Sequence, residues 1–290
     1  MDSPSRTGFV AVFFTICIWA GFILVSRHGG NGMLTGWDVT ALRFGVGALI
    51  ALFFLPRATL PPLKVTLLFS LFGGVGYALA VYLAFRMAPA AHAAVLLPGA
   101  LPFTTAVIAW LWLKHKPSPQ QRSALMMVFL GVVLTAVDTL SRGAHLTGTQ
   151  FLGDLLFLCG SSSWAIFTLL LRRHPVPPLT AAVSTTLGSA VLYLPVWWLF
   201  LPSTLDRAPV SEIAMQAIYQ GILVVFVAMM LYAFAVRRLG AQTVTLLMAI
   251  VPGLAALAAV PLLDEPLSML TLSGLGAVTL GALLGARPQK

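Results

Sequence analysis

The chain alternates long apolar blocks with short breaks marked by Pro, Gly and paired basic residues. A helix that spans a bilayer needs about 20 mainly apolar residues. On that length, hydropathy and punctuation predict ten spans. They are Gly8–Ser26, Thr40–Leu55, Val65–Phe85, Ala90–Leu113, Ser123–Val137, Phe151–Leu171, Leu179–Leu201, Ala214–Val236, Ala241–Leu263 and Leu267–Ala286. Breaks fall at Pro61-Pro62, Pro89, Pro117 with Pro119, Pro177-Pro178, Pro202, Gly240 and Pro266. The first block is too long for a signal-peptide core and has no convincing cleavage site before Arg27, so it reads as a first spanning helix. The expected fold is therefore an all-α polytopic membrane protein with ten transmembrane helices.

Composition agrees with this pattern. The chain has 290 residues, of which 59% are hydrophobic and 9% charged. A soluble domain carries about 25% charged residues. No polar stretch is long enough to fold as a separate soluble domain. The net charge of +9 does not mark a nucleic-acid partner, because the cations sit in pairs at the ends of apolar runs rather than on one exposed face. They act instead as topology determinants. With the N-terminus inside, one side holds Arg6, Arg57, Lys64, Lys114, Lys116, Arg122, Arg172, Arg173, Arg237, Arg238, Arg287 and Lys290. The other holds Arg27, Arg86, Arg142 and Arg207. This bias predicts a multi-pass inner (plasma) membrane protein with both termini cytoplasmic. Trp110, Trp112, Trp197 and Trp198 lie near helix ends and read as interfacial anchors. Cys17 and Cys159 lie within apolar runs and read as small hydrophobes, with no disulfide.

The two halves of the chain superpose in sequence. At one constant register Tyr82 falls on Tyr232, His92 on Gln242, Pro102 on Pro252, Ala106 on Ala256 and Gly131 on Gly281. With a small change of register, Trp19-Ala20-Gly21-Phe22 falls on Trp164-Ala165-Ile166-Phe167. A unit with five spans must reverse its orientation when repeated. The repeats, 8–139 and 151–286, are thus expected to be inverted. In transporters with that architecture, substrate binds near the midplane between the halves.

At this point the chain resembles a known family. The residues that carry the likeness run from Gly240-Ala241-Gln242-Thr243 through Pro252 to Leu263-Asp264-Glu265-Pro266-Leu267, then Gly274, Gly276 and Gly281. They resemble the ten-helix EamA branch of the drug/metabolite transporter superfamily, and the aromatic content resembles the YddG-type amino-acid exporters. In the first half, Lys114-His115-Lys116 replace the acidic turn. The resemblance implies that helices 1, 3, 4, 6, 8 and 9 surround a cavity, while helices 5 and 10 lie outside it. Ala277, Gly281 and Gly285, with Gly131 and Thr135, are small residues suited to close helix packing.

Polar groups within a bilayer are expensive and mark candidate sites. His92 shares a helix face with Gly99, and Gln242 with Thr245. Trp19 and Trp164 form a symmetric aromatic pair, and Tyr77, Tyr82 and Tyr232 add hydroxyl-bearing rings. Such walls can hold apolar side chains and attract an ammonium group. Met229 and Met248 can line an adaptable pocket. For each of these, interhelical packing or hydrogen bonding is the plainer role. Ser161, Ser162 and Ser163 are expected mostly to bond their own backbone. Arg43 can snorkel, pair with a carbonyl or bind a carboxylate, with snorkelling the default. Pro98, Pro102 and Pro252 interrupt helices and are candidate gating kinks.

Enzyme signatures are missing. There is no phosphate-binding Gly-Lys-Ser/Thr loop, no His-Glu-x-x-His and no Cys/His cluster with metal spacing. All eight acids read as lying at or outside helix ends. The expectation is a cofactor-free secondary transporter, not an enzyme. It would carry small zwitterionic metabolites, amino acids above all, by alternating access. Organic cations, nucleotide precursors or sugar derivatives are alternative substrates, and a non-transporting receptor is the alternative class. With no buried carboxylate beside it, His92 is expected to be a neutral substrate contact, and flux to follow the substrate gradient.

Overall fold

A computed structural model describes residues 3–114, 118–141, 148–239, 244, 247–248 and 250–285. The described residues are mainly helical. The helices are α1 (Ser3–Gly30), α2 (Gly36–Phe54), α3 (Leu63–Phe85), α4 (Ala90–Trp112) and α5 (Pro119–Ser141). They continue as α6 (Thr149–Arg173), α7 (Pro178–Phe200), α8 (Val210–Tyr232, helical on to Leu239), α9 (Val251–Leu263) and α10 (Met269–Gly285). Among the described residues, eight of these helices are long and apolar enough to cross a membrane, and α9 and α10 form shorter apolar helices. The expected ninth span begins at Ala241, so most of its first turns lie outside the described residues. Large apolar side chains such as Phe13, Leu63, Val191, Trp198 and Phe200 point outward and are exposed. A surface this apolar is matched to lipid rather than water.

Several boundaries extend beyond the hydropathic blocks. Helix α2 starts at Gly36 rather than Thr40, because Thr35 and Asp38 form a reciprocal capping box. Pro61-Pro62 and Pro177-Pro178 stand at the starts of α3 and α7, where a missing N–H costs nothing.

The halves interlock rather than lie side by side. Helix α1 packs on α8 and α9, α2 on α7, α3 and α4 on α6, and α5 on α10. The α5–α10 contact rests on the small residues singled out above. A Cβ on Gly131 would lie 2.7 Å from the Gly274 carbonyl, and one on Gly281 would lie 2.8 Å from the Ala124 carbonyl. Glycine is required at both places by close backbone approach.

The repeat is also visible in backbone irregularities. A π-helical segment interrupts α3 at Ser70–Val75, and another interrupts α8 at Tyr219–Ala228. The helical run breaks at Ala100 in the first half and at Ile250 in the second, just before Pro102 and Pro252. Helix α4 ends on left-handed Lys114 (φ 56°), and α9 ends on left-handed Asp264 (φ 54°). All three pairings keep the register that aligns Tyr82 with Tyr232.

Hydrogen bonds gather the turns 30–35, 86–89, 201–209 and 264–268 at one end of the bundle, termed the distal face. The start of α1 and the end of α8 meet at the opposite, proximal face.

Candidate functional site

Between the halves lies a cavity of about 150 Å³. Its wall draws on α1, α2, α3, α4, α6, α7 and α8, with Val251 of α9. Helices α2 and α7 are contributors that the family resemblance did not imply. They bring Arg43, Phe44, Ala181, Ala182, Thr185 and Thr186.

Two aromatic pairs shape the wall, and each is shared between the halves. Trp19 of α1 stacks on Tyr232 of α8, with centroids 5.4 Å apart and planes 28° from parallel. Trp164 of α6 meets Tyr77 of α3 at 5.0 Å and Phe167 at 5.3 Å. Trp19, Tyr77, Trp164 and Phe167 line the cavity, whereas Tyr232 stacks on Trp19 without lining it. The symmetric tryptophans of the sequence thus stand in one site, each held by a tyrosine from the other half.

The irregular segments reach the same cavity. Gly73 comes from the π segment of α3, Leu97 and Pro98 from a π segment of α4 at Val95–Gly99, and Val224 and Val225 from that of α8. A broken helix frees carbonyls that must find donors in an apolar medium. Serines of α6 supply them. Ser163 donates to the Phe72 carbonyl at 2.9 Å, and Ser161 to the Leu97 carbonyl at 3.1 Å. These serines therefore do not bond their own backbone, as the sequence led us to expect. They hold the breaks of two neighbouring helices.

Arg43 departs further from expectation. It is 6% exposed and does not snorkel. Its Nη1 donates to the Tyr82 hydroxyl at 3.1 Å, and that hydroxyl donates to Gln220 Oε1 at 3.0 Å. Gln220 in turn donates to Ser26 Oγ and Gln216 Oε1, and Gln216 donates to the Val25 carbonyl. The chain of donors anchors the guanidinium to α1, α3 and α8. Tyr82 is 3% exposed and does not line the cavity. It holds Arg43 in place.

Polar contacts between the halves cluster on the distal face. Glu265 forms an ion pair with Arg27 and accepts from the Ala90 N–H at 2.8 Å. Arg27 also donates to the Phe85 carbonyl at 2.6 Å. Glu212 accepts from the backbone N–H groups of Met33 and Leu34. Asp38 accepts from the Trp197 indole, the Ser203 hydroxyl and the Thr204 N–H.

A family model of EamA-like transporters matches residues 6–137 and again residues 151–286. The chain belongs to the EamA-like transporter family. No curated protein matches it. Among solved structures, one crystal structure is 21% identical, with 97% of each chain covered and a TM-score of 0.64. That likeness concerns the fold.

Within this EamA-like fold the residues singled out from sequence divide. Trp19, Tyr77, Trp164, Met229 and Pro98 line the cavity. Pro102 and Pro252 sit at the restart of α4 and α9, each directly after a wall residue, Leu101 and Val251. Met248 is partly buried against the core and is not part of the wall. Gln242 and Thr245 lie outside the described residues.

His92 is the clearest correction. It lies on the distal side, 2% exposed, and away from the cavity. Its Nδ1 is 3.0 Å from Asp154 Oδ1, and its Nε2 is 3.3 Å from Asp138 Oδ2. Thr271 donates to the same Asp138 oxygen at 3.0 Å. Asp138 and Asp154 are themselves buried, at 2% and 5% exposure. Both acids are near helix ends, as read from sequence, yet they are not solvated. The premise that no buried carboxylate attends His92 therefore fails. Four helices, α4, α5, α6 and α10, meet at this cluster.

Trp197 also differs from a plain lipid anchor, since its indole is tied to Asp38. Trp110, Trp112 and Trp198 are exposed and fit the anchoring role. Sequence reasoning missed Thr185 and Phe167 as wall residues and Glu265 as a bridge between halves. Among the described residues no group of His, Cys, Asp and Glu is arranged to hold a metal ion.

Proposed function

We propose that this EamA-like protein is a ten-span secondary transporter of small amphipathic metabolites, amino acids with apolar or aromatic side chains foremost. Substrate would bind in the cavity between the halves and move by alternating access. The observation that carries this reading is the pair of aromatic contacts, Trp19–Tyr232 and Trp164–Tyr77, each built from both halves around one cavity. Rocking the halves separates those partners, so closure around a ring-bearing substrate and the conformational change are coupled. The Arg27–Glu265 pair and the Asp38 and Glu212 contacts serve as the outer gate in this account. The bias of Lys and Arg supports a plasma-membrane protein with the distal face outside and the termini in the cytoplasm. A buried cation in the wall weighs against organic cations as substrates.

Counterflow in proteoliposomes tests the reading. Vesicles preloaded with unlabelled L-tryptophan or L-phenylalanine are expected to accumulate the labelled amino acid, and vesicles preloaded with tetraethylammonium or glucose 6-phosphate are not. Exchange of the cation or the sugar phosphate in place of amino acids would overturn the substrate assignment.

A further inference from the structure

The cavity wall holds one charged side chain among the described residues, the guanidinium of Arg43, and no carboxylate. Four features of Arg43 and Thr185 are unusual together. Arg43 is more than nine-tenths buried. It has no acidic partner among the described residues. Its Nε and the Thr185 Oγ1 are the two buried side-chain polar atoms left without a hydrogen-bond partner among those residues. Both side chains line the same cavity. Buried cations are normally paired, because an unpaired one loses its hydration with nothing in return. Buried donors are normally bonded as well. An orphaned guanidinium donor and an orphaned hydroxyl in one cavity form an incomplete anion site.

We propose that Arg43 and Thr185 form a carboxylate anchor, and that the preferred substrate is an aryl or apolar carboxylate whose amine is dispensable. This rests on the reading of the cavity as the transport site. A guanidinium presents N–H donors in a planar fork that matches a carboxylate. Nη1 is held by Tyr82, and the buried Nε–H has no partner among the described residues, so a shift of the side chain toward the cavity would offer it to an incoming oxygen. Thr185 supplies a further O–H. Trp19 and Trp164 provide faces for the ring of the substrate. The site has one positive charge, so a monoanion leaves it neutral. A zwitterion adds an ammonium with no acid to meet it, and a phosphate dianion leaves one negative charge uncompensated. The amine therefore adds little, while loss of the carboxylate removes the interaction that neutralises Arg43. Tyr82 is a positioning residue for the guanidinium.

Calorimetry on the detergent-solubilised full chain tests this with four probes: indole-3-propionate, L-tryptophan, L-tryptophan methyl ester and phenyl phosphate. Indole-3-propionate is expected to bind at least as tightly as L-tryptophan. The methyl ester is expected to bind about ten-fold to a hundred-fold more weakly than the free acid, the range of a lost charge-assisted hydrogen bond. In Arg43→Gln the two should bind alike, and Arg43→Lys should keep part of the difference. Thr185→Val should weaken the carboxylates by a few-fold and leave the ester unchanged. Arg43→Gln should also melt no lower than wild type without ligand, because a binding cation is not needed for packing. Equal binding of acid and ester in wild type would overturn the anchor while leaving the aromatic cavity reading intact. Tightest binding of phenyl phosphate, or a carboxylate preference that survives Arg43→Gln, would overturn the anchor too. If no probe binds wild type, the cavity reading and the anchor fall together.

Discussion

Replacing Glu265 with Gln should open the distal face. Glu265 accepts from Arg27 and from the Ala90 N–H, so one side chain of the second half clamps α1 and the start of α4 in the first. Both ion-pair side chains are 15% exposed, which leaves solvent screening incomplete. Glutamine keeps an acceptor for Ala90 and removes only the charge. A charge-assisted hydrogen bond is worth about 1.5–3 kcal/mol, and the lower end applies because part of the contact survives. Each 1.4 kcal/mol is a factor of about ten in an equilibrium. The ratio of distally closed to distally open molecules should therefore fall about ten-fold. A Val225→Cys reporter in a background lacking Cys17 and Cys159 reads this directly, since Val225 lines the cavity. Its rate of modification by an impermeant thiol reagent from the distal side should rise about ten-fold with Glu265→Gln. Arg27→Gln should do the same, and the double variant should add little, as expected for partners in one contact. Unchanged reactivity in a folded Glu265→Gln protein would refute the gate.

Other outcomes follow from the packing. Gly281→Val places side-chain atoms against the Ala124 carbonyl, and thermal unfolding should show a loss of about 1–3 kcal/mol from overpacking at the α5–α10 contact. Trp19→Ala and Trp164→Ala should each weaken substrate binding about five-fold, the equivalent of about 1 kcal/mol of ring contact, with Trp198→Ala unchanged in calorimetry because Trp198 points outward. Asp138→Ala leaves His92 and Thr271 short of an acceptor in a buried cluster, and its melting temperature should drop by the equivalent of about 1–3 kcal/mol; no drop would mean that the cluster adds nothing to stability.

Much of the architecture was legible because lipid imposes simple rules. Length and punctuation marked the eight long apolar helices found among the described residues, and the small residues at Gly131 and Gly281 marked the α5–α10 contact. The alignment of Trp19 with Trp164 pairs two residues that both line the cavity. What was not legible depends on rotation about a helix axis. Helix α2 is apolar nearly all round, so nothing in its sequence says whether Arg43 faces lipid, a neighbour or the cavity. Helix α7 is equally featureless, which hid Thr185 and Thr186. The partners of His92 come from α5 and α6, far away in sequence. One signal was present: the topology reading puts His92, Asp138 and Asp154 near helix ends on the same side of the membrane. Three ionisable groups at one level are candidates for one cluster. The serines show a different gap. A π segment cannot be read from residues 70–75 alone, so the carbonyls that Ser161 and Ser163 satisfy were invisible.

A substrate that occupies the cavity between the halves should shield a cysteine placed in its wall. In the Val225→Cys protein, reconstituted and active, saturating L-tryptophan or indole-3-propionate should slow thiol modification at Val225→Cys, and a cysteine placed at lipid-facing Val191 should react at an unchanged rate. Modification of Val225→Cys that proceeds at the same rate with and without a transported substrate would mean that substrate binds elsewhere.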